Sequence, residues 1–108
     1  MHNSSNEMWS EQWRLAASEW VDADAAARLL DETKSAVFAQ MVLGQGDNIA
    51  VNRAENNVKG SPEWADHIRK IVEAKTHANK LKIKAEYIKM RYWEEQGANA
   101  SKRAEMRF

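Results

Sequence analysis

Residues 61–96 read SPEWADHIRKIVEAKTHANKLKIKAEYIKMRYWEEQ, and they carry a helix start, a helix body and no helix breaker. Ser61 is a preferred N-cap, and Pro62 suits the first helical position, where its missing N–H has no intrahelical partner to lose. Glu63 and Asp66 put negative charge at the positive end of the helix dipole. No Gly or Pro follows until Gly97. Trp64, Ile71, Ala74, Ala78, Leu81, Ala85, Ile88 and Tyr92 recur at steps of three and four, with one longer gap. That spacing predicts one apolar stripe along a helix of residues 62–96 or beyond. Such a helix is about 50 Å long. It cannot bury its stripe alone and needs a partner of similar length.

The partner lies upstream. Ser4 followed by Glu7 matches a capping box. From there Trp9, Trp13, Ala16, Trp20, Ala23, Ala27, Leu30, Val37 and Met41 keep helical spacing. Lys34 interrupts the row, but a lysine stem can lie on apolar surface while its head reaches water. Gly44-Gln45-Gly46-Asp47 marks a C-cap and turn, so the first helix spans about residues 7–43. Ile49, Val51, Ala54 and Val58 predict a short helix at about 48–59, closed by Gly60 and capped by Asp47 or Asn52. The expected architecture is all-α: two long antiparallel helices joined by a short one in a coiled-coil-like hairpin. Residues 1–108 form a single domain with a disordered tail at about 1–5. Five tryptophans and leftover apolar surface predict a homodimer, the hairpins pairing into a four-helix bundle.

Charge supports the pairing of the long helices. Residues 1–43 carry net −4 and residues 61–108 net +4, while the whole chain is neutral. A neutral chain offers no global attraction to nucleic acid or membrane. Seventeen alanines against 18 Leu, Ile, Val and Phe make the core thin and allow close backbone approach. With no cysteine, thiol catalysis and thiolate metal sites are excluded. The start of the chain has no basic-then-apolar leader pattern. No apolar run approaches the roughly 20 residues of a membrane span.

Three segments, AVNRAENNVKGSPEW (50–64), AEYIKMRYWE (85–94) and ANASKRAEMR (98–107), resemble small all-helical proteins encoded by phages and prophages, often near early-region genes for DNA recombination and replication. The resemblance spans most of residues 13–107. It implies a cytoplasmic product of the bacterial host and an accessory role in DNA metabolism. That family brings no defined site residues.

The residues themselves point to binding rather than catalysis. No Gly-rich phosphate loop or activated nucleophile is present, and Asp22, Asp24, Glu94 and Glu95 read as solvated helix faces. His67 and His77 are ten apart, not the i,i+4 spacing that converges two imidazoles, and His2 is in the tail, so no metal or cofactor is expected. Lys75, Lys82 and Lys89 recur every seven residues, with Lys80, Lys84 and Arg91 beside them and aromatics between. These six are candidate nucleic-acid contacts, because cations can follow phosphates and aromatics can stack on bases. Equally, they are the ordinary wet flank of a coiled coil. Trp9, Trp13, Trp20, Tyr92 and Trp93 are the candidate oligomer or partner interface. Three functions remain open: a phage accessory factor on DNA, a factor binding a host or phage protein without nucleic acid, and a structural bundle of virion assembly.

Overall fold

The structure, a computed structural model, describes the backbone of residues 4–106 and the side chains of residues 8–106. Among the described residues four helices follow in order: α1 (Ser4–Glu32), α2 (Lys34–Leu43), α3 (Val51–Lys59) and α4 (Pro62–Met106). No strand occurs among the described residues. The shape is a rod of 86 × 17 × 16 Å with a radius of gyration of 23.9 Å. A compact chain of this length would have a radius near 13 Å. The hairpin is therefore drawn out along α4.

The two apolar rows close on each other. Ala16 and Ala27 of α1 and Ile71, Ala78, Ala85 and Ile88 of α4 are buried. Trp9, Trp13, Trp20, Ala23 and Leu30 flank them half-buried, as do Trp64, Ala74, Leu81 and Tyr92. The register is antiparallel, with Trp13 against Tyr92, Asp31 against Lys75 and Phe38 against Trp64. Alanine along the centre lets the helices approach, but a buried methyl contributes only about 0.8 kcal/mol. Most of the apolar burial must come from Ile71, Ile88 and the aromatics along the edges of the seam, each ring covering roughly 150–250 Å².

Three boundaries differ from the sequence expectation. The first helix begins at Ser4, inside the expected tail, and is divided at Thr33 rather than continuous over 7–43. Thr33 keeps helical hydrogen bonding on both sides, its N–H donating to Leu29 O and its carbonyl accepting from Val37. Its hydroxyl also donates to Leu29 O at 2.7 Å, a back-bond that competes with the regular ladder. The short helix starts at Val51, not at 48, and its N-cap is Ala50 with no side-chain cap; neither Asp47 nor Asn52 serves. The last helix agrees with the expected 62–96 or beyond: α4 passes through Gly97 to Met106 without a break. Of the disordered tail expected at about 1–5, residues 1–3 lie outside the described residues, as do His2 and the side chains of Ser4 and Glu7.

The linker region works as the sequence suggests. Gly44 ends α2, its N–H donating to Gln40 O, and Gly46 turns the chain at φ +105°, a conformation that L side chains rarely adopt. Ala54 and Val58 bury the inner side of α3, and Val58 is the most enclosed side chain among the described residues. Ser61 joins two helices at once. Its hydroxyl donates to Val58 O at 2.7 Å and accepts from the Trp64 N–H at 3.2 Å.

Candidate binding surfaces

Pairing with α1 decides what the six basic side chains of α4 can do. One flank of α4 carries Lys75, Lys82 and Lys89, two turns apart. The opposite flank carries Lys80, Lys84 and Arg91. Lys75 pairs with Asp31 at 3.0 Å and Lys84 with Glu19 at 3.9 Å. Lys82 lies 5.9 Å from the ring centroid of Trp20, and Lys89 lies 5.5 Å from that of Trp13. Arg91 sits 5.6 Å from the centroid of Trp9 and pairs with Glu94 at 3.4 Å. Lys80 alone has no partner among the described residues. The cluster is thus split across two flanks, and five of its six members already face acidic or aromatic groups.

The aromatic candidates divide as well. Trp9, Trp13, Trp20 and Tyr92 are half-buried along the α1–α4 seam, with Trp13 and Tyr92 stacked at 6.2 Å. Trp93 points away, 57 % exposed, its ring edge-on to Tyr92 at 5.4 Å. Trp64 packs at the other end of the rod against Phe38 and His67, beside a shallow groove lined by Lys34, Ser35, Phe38, Lys59 and Trp64.

A surface that the sequence reading passed over runs along the outside of α4. Ile83, Tyr87 and Met90 follow at steps of four and three, on the side of the helix opposite Ala78, Ala85 and Ile88. With Trp93 beside them, these residues are 54–66 % exposed. Val72 extends the row by three turns toward the N-terminus through Thr76 and Asn79. The signal was present in the spacing. It was obscured because the lysines on either side made the face read as merely solvated.

The grooves along the seam are open, as in the one formed by Glu19, Asp22, Ala23, His77 and Leu81. Among the described residues no group of three or more His, Cys, Asp or Glu is placed to hold a metal ion. Glu11 and Arg14 form an exposed hydrogen-bonded pair at 3.0 Å. The hydrogen bond from Arg14 holds the Glu11 carboxyl below its ordinary range and raises Arg14 in turn. That is the chemistry of a wet helix surface. Among the described residues, no helix is long and apolar enough to cross a membrane.

No family model matches the chain, and neither the curated proteins nor the solved structures include a match to it.

Proposed function

We propose that this chain is a non-enzymatic binding protein, a helical rod that engages another protein through the outer face of α4. One observation carries the reading: Ile83, Tyr87, Met90 and Trp93 are left exposed on a helix whose inner face is already filled. Large side chains gathered on one exposed face mark interaction sites, and aromatic residues are favoured there. The cytoplasmic phage or prophage setting, with an accessory role beside DNA recombination or replication, rests on the resemblance of residues 50–64, 85–94 and 98–107 alone. Affinity capture with the full chain, with and without nuclease, tests the reading. A partner protein should survive nuclease and be lost with Met90→Glu. A capture that disappears with nuclease overturns it.

The nucleic-acid reading retains one support of its own. Lys80 has no partner among the described residues, and Tyr87, two turns further along α4, stands exposed for base stacking. Binding to single-stranded or duplex oligonucleotides that weakens steeply as salt rises would favour that reading. The virion-assembly alternative would instead show as incorporation of the chain into purified particles.

A further inference from the structure

The outer face of α4 carries a charge pattern that is complementary to itself. From Tyr87 toward the N-terminus it presents Lys80, Glu73 and Arg69. Toward the C-terminus it presents Glu94, Lys102 and Glu105. Lys80 and Glu94 are each seven residues from Tyr87. Arg69 and Glu105 are each eighteen away, and Glu73 and Lys102 are fourteen and fifteen away. All six charges lie on the same side of the row through Ile83 and Met90, by helical spacing; Lys84 and Arg91 share that side but are turned to Glu19 and Trp9 within the chain. We propose that this face binds a second copy of the chain, with the two α4 helices antiparallel about a two-fold axis at Tyr87. The proposal rests on the reading of this face as a protein-contact surface, and names its occupant.

An antiparallel two-fold pairing puts residues equally far from the axis, and on the same side of the row, opposite each other. Lys80 then meets Glu94 of the second copy, Arg69 meets Glu105 and Glu73 meets Lys102, and each pair occurs twice. The Tyr87 rings meet at the axis. Ile83 packs against the turn of the second copy that carries Met90. Lys80, the one candidate cation without a partner among the described residues, gains one.

The area suffices. Ile83, Tyr87, Met90 and Trp93 together expose on the order of 500 Å², about the size of the largest apolar patch on a typical monomer. Two such patches closing on each other remove at most about 1,000 Å², the threshold that a specific interface must clear. Val72 and the last turns of α4 add to this. Residues 100–106 are exposed throughout, and in the proposed register they run beside residues 68–74 of the second copy. Gly97 and Ser101, both small, face the turns that carry Thr76 and Val72. A Cβ added at Gly97 would meet nothing within 4 Å in the single chain.

This interface differs from the one read from the tryptophan row. Trp9, Trp13, Trp20 and Tyr92 are half-buried along the seam within the chain, and the row at Ile83, Tyr87 and Met90 lies on the opposite side of α4, while Leu15, Val21 and Leu29 are exposed singly on α1.

Sedimentation equilibrium of the full-length chain across the micromolar range tests the proposal. The wild type should sediment at twice the chain mass of 12.4 kDa. Met90→Glu should weaken association on the order of tenfold or more while keeping the helical circular dichroism. Val21→Glu, at an exposed apolar position on α1, should leave association unchanged. Lys80→Glu should weaken the dimer, and Glu94→Lys in the same chain should restore it, because the swap regenerates both pairs. A wild type that stays monomeric overturns the proposal, as does a dimer unaffected by Met90→Glu or a charge swap without rescue. If the chain is monomeric yet still captures a nuclease-resistant protein through Met90, self-pairing fails while the protein-contact reading stands.

Discussion

Trp13 of α1 and Tyr92 of α4 stack with ring centroids 6.2 Å apart and planes 27° apart, 79 positions distant in the chain. The Lys89 ammonium lies over the same indole at 5.5 Å from its centroid. Near them Ala16, Ala85 and Ile88 form the buried centre of the seam, with Trp9 and Trp13 packed against it. At this end of the rod, small residues set the spacing and large rings seal the edges. Trp13→Ala should destabilise the fold by about 2–4 kcal/mol, somewhat less than a fully buried tryptophan, because the ring is only half-buried. Thermal unfolding of Trp13→Ala, Tyr92→Ala and the double variant should give a coupling of about 0.5–1.5 kcal/mol. Additive losses would mean that the stack contributes nothing beyond burial.

The alanine centre sets an upper limit on side-chain size. Ala85 is 3 % exposed and faces a helix that itself presents Ala16. Ala85→Leu should force the helices apart and cost about 1–3 kcal/mol by overpacking, whereas the same substitution at exposed Ala25 should be nearly neutral. Chemical denaturation of the two variants makes the comparison. An Ala85→Leu protein as stable as the parent would show that the seam is looser than described.

Ser61 holds the corner between α3 and α4 with both hydrogen bonds of its hydroxyl. Ser61→Ala should cost about 1 kcal/mol, the usual value of an N-cap. Gly46→Ala should also destabilise, by about 1–2 kcal/mol, because φ is +105° there. Gly60→Ala should be tolerated far better, since Gly60 has φ −91°. Melting temperatures of the three variants should therefore separate Gly60 from the other two.

Gly97 sits inside a helix and in open space. Gly97→Ala should strengthen α4 locally by up to about 1 kcal/mol. Because residues 100–106 are exposed, the gain should show as slower amide exchange after residue 96 more than as a higher global melting temperature. Unchanged exchange in that segment would contradict a continuous helix through Gly97.

Much of the fold was legible because it rests on local periodicity. The rows Trp9–Leu30 and Ile71–Tyr92 close on each other, while Val37 and Met41 lie on α2, which packs mainly on α3; the Gly44–Asp47 turn and the Ser61–Pro62 helix start were legible from cap chemistry. The break at Thr33 was not legible, since a threonine in a helix announces nothing until its hydroxyl bonds Leu29 O. The start of α3 was obscured because Asp47 and Asn52 are both good caps, whereas packing of Ala54 and Val58 places the first turn at Val51. The candidate contacts needed the register of the hairpin. Only when Asp31 meets Lys75, and Trp13 meets Lys89, does a row of cations become a row of internal partners. The outer row at Ile83, Tyr87 and Met90 could have been found from sequence, by asking which apolar residues the first stripe leaves unused.

The central claim is that the exposed outer face of α4 is a protein-contact surface whose occupant is a second copy of the chain, in one register. The chain contains no cysteine, so a single introduced thiol reports cleanly on proximity. Tyr87→Cys places that thiol at the proposed two-fold axis, and Val21→Cys places one on α1, away from it. Under mild oxidation at micromolar concentration, Tyr87→Cys should convert almost wholly to a disulfide-linked dimer while Val21→Cys stays monomeric on a non-reducing gel. Equal and slow cross-linking of the two variants would contradict the account.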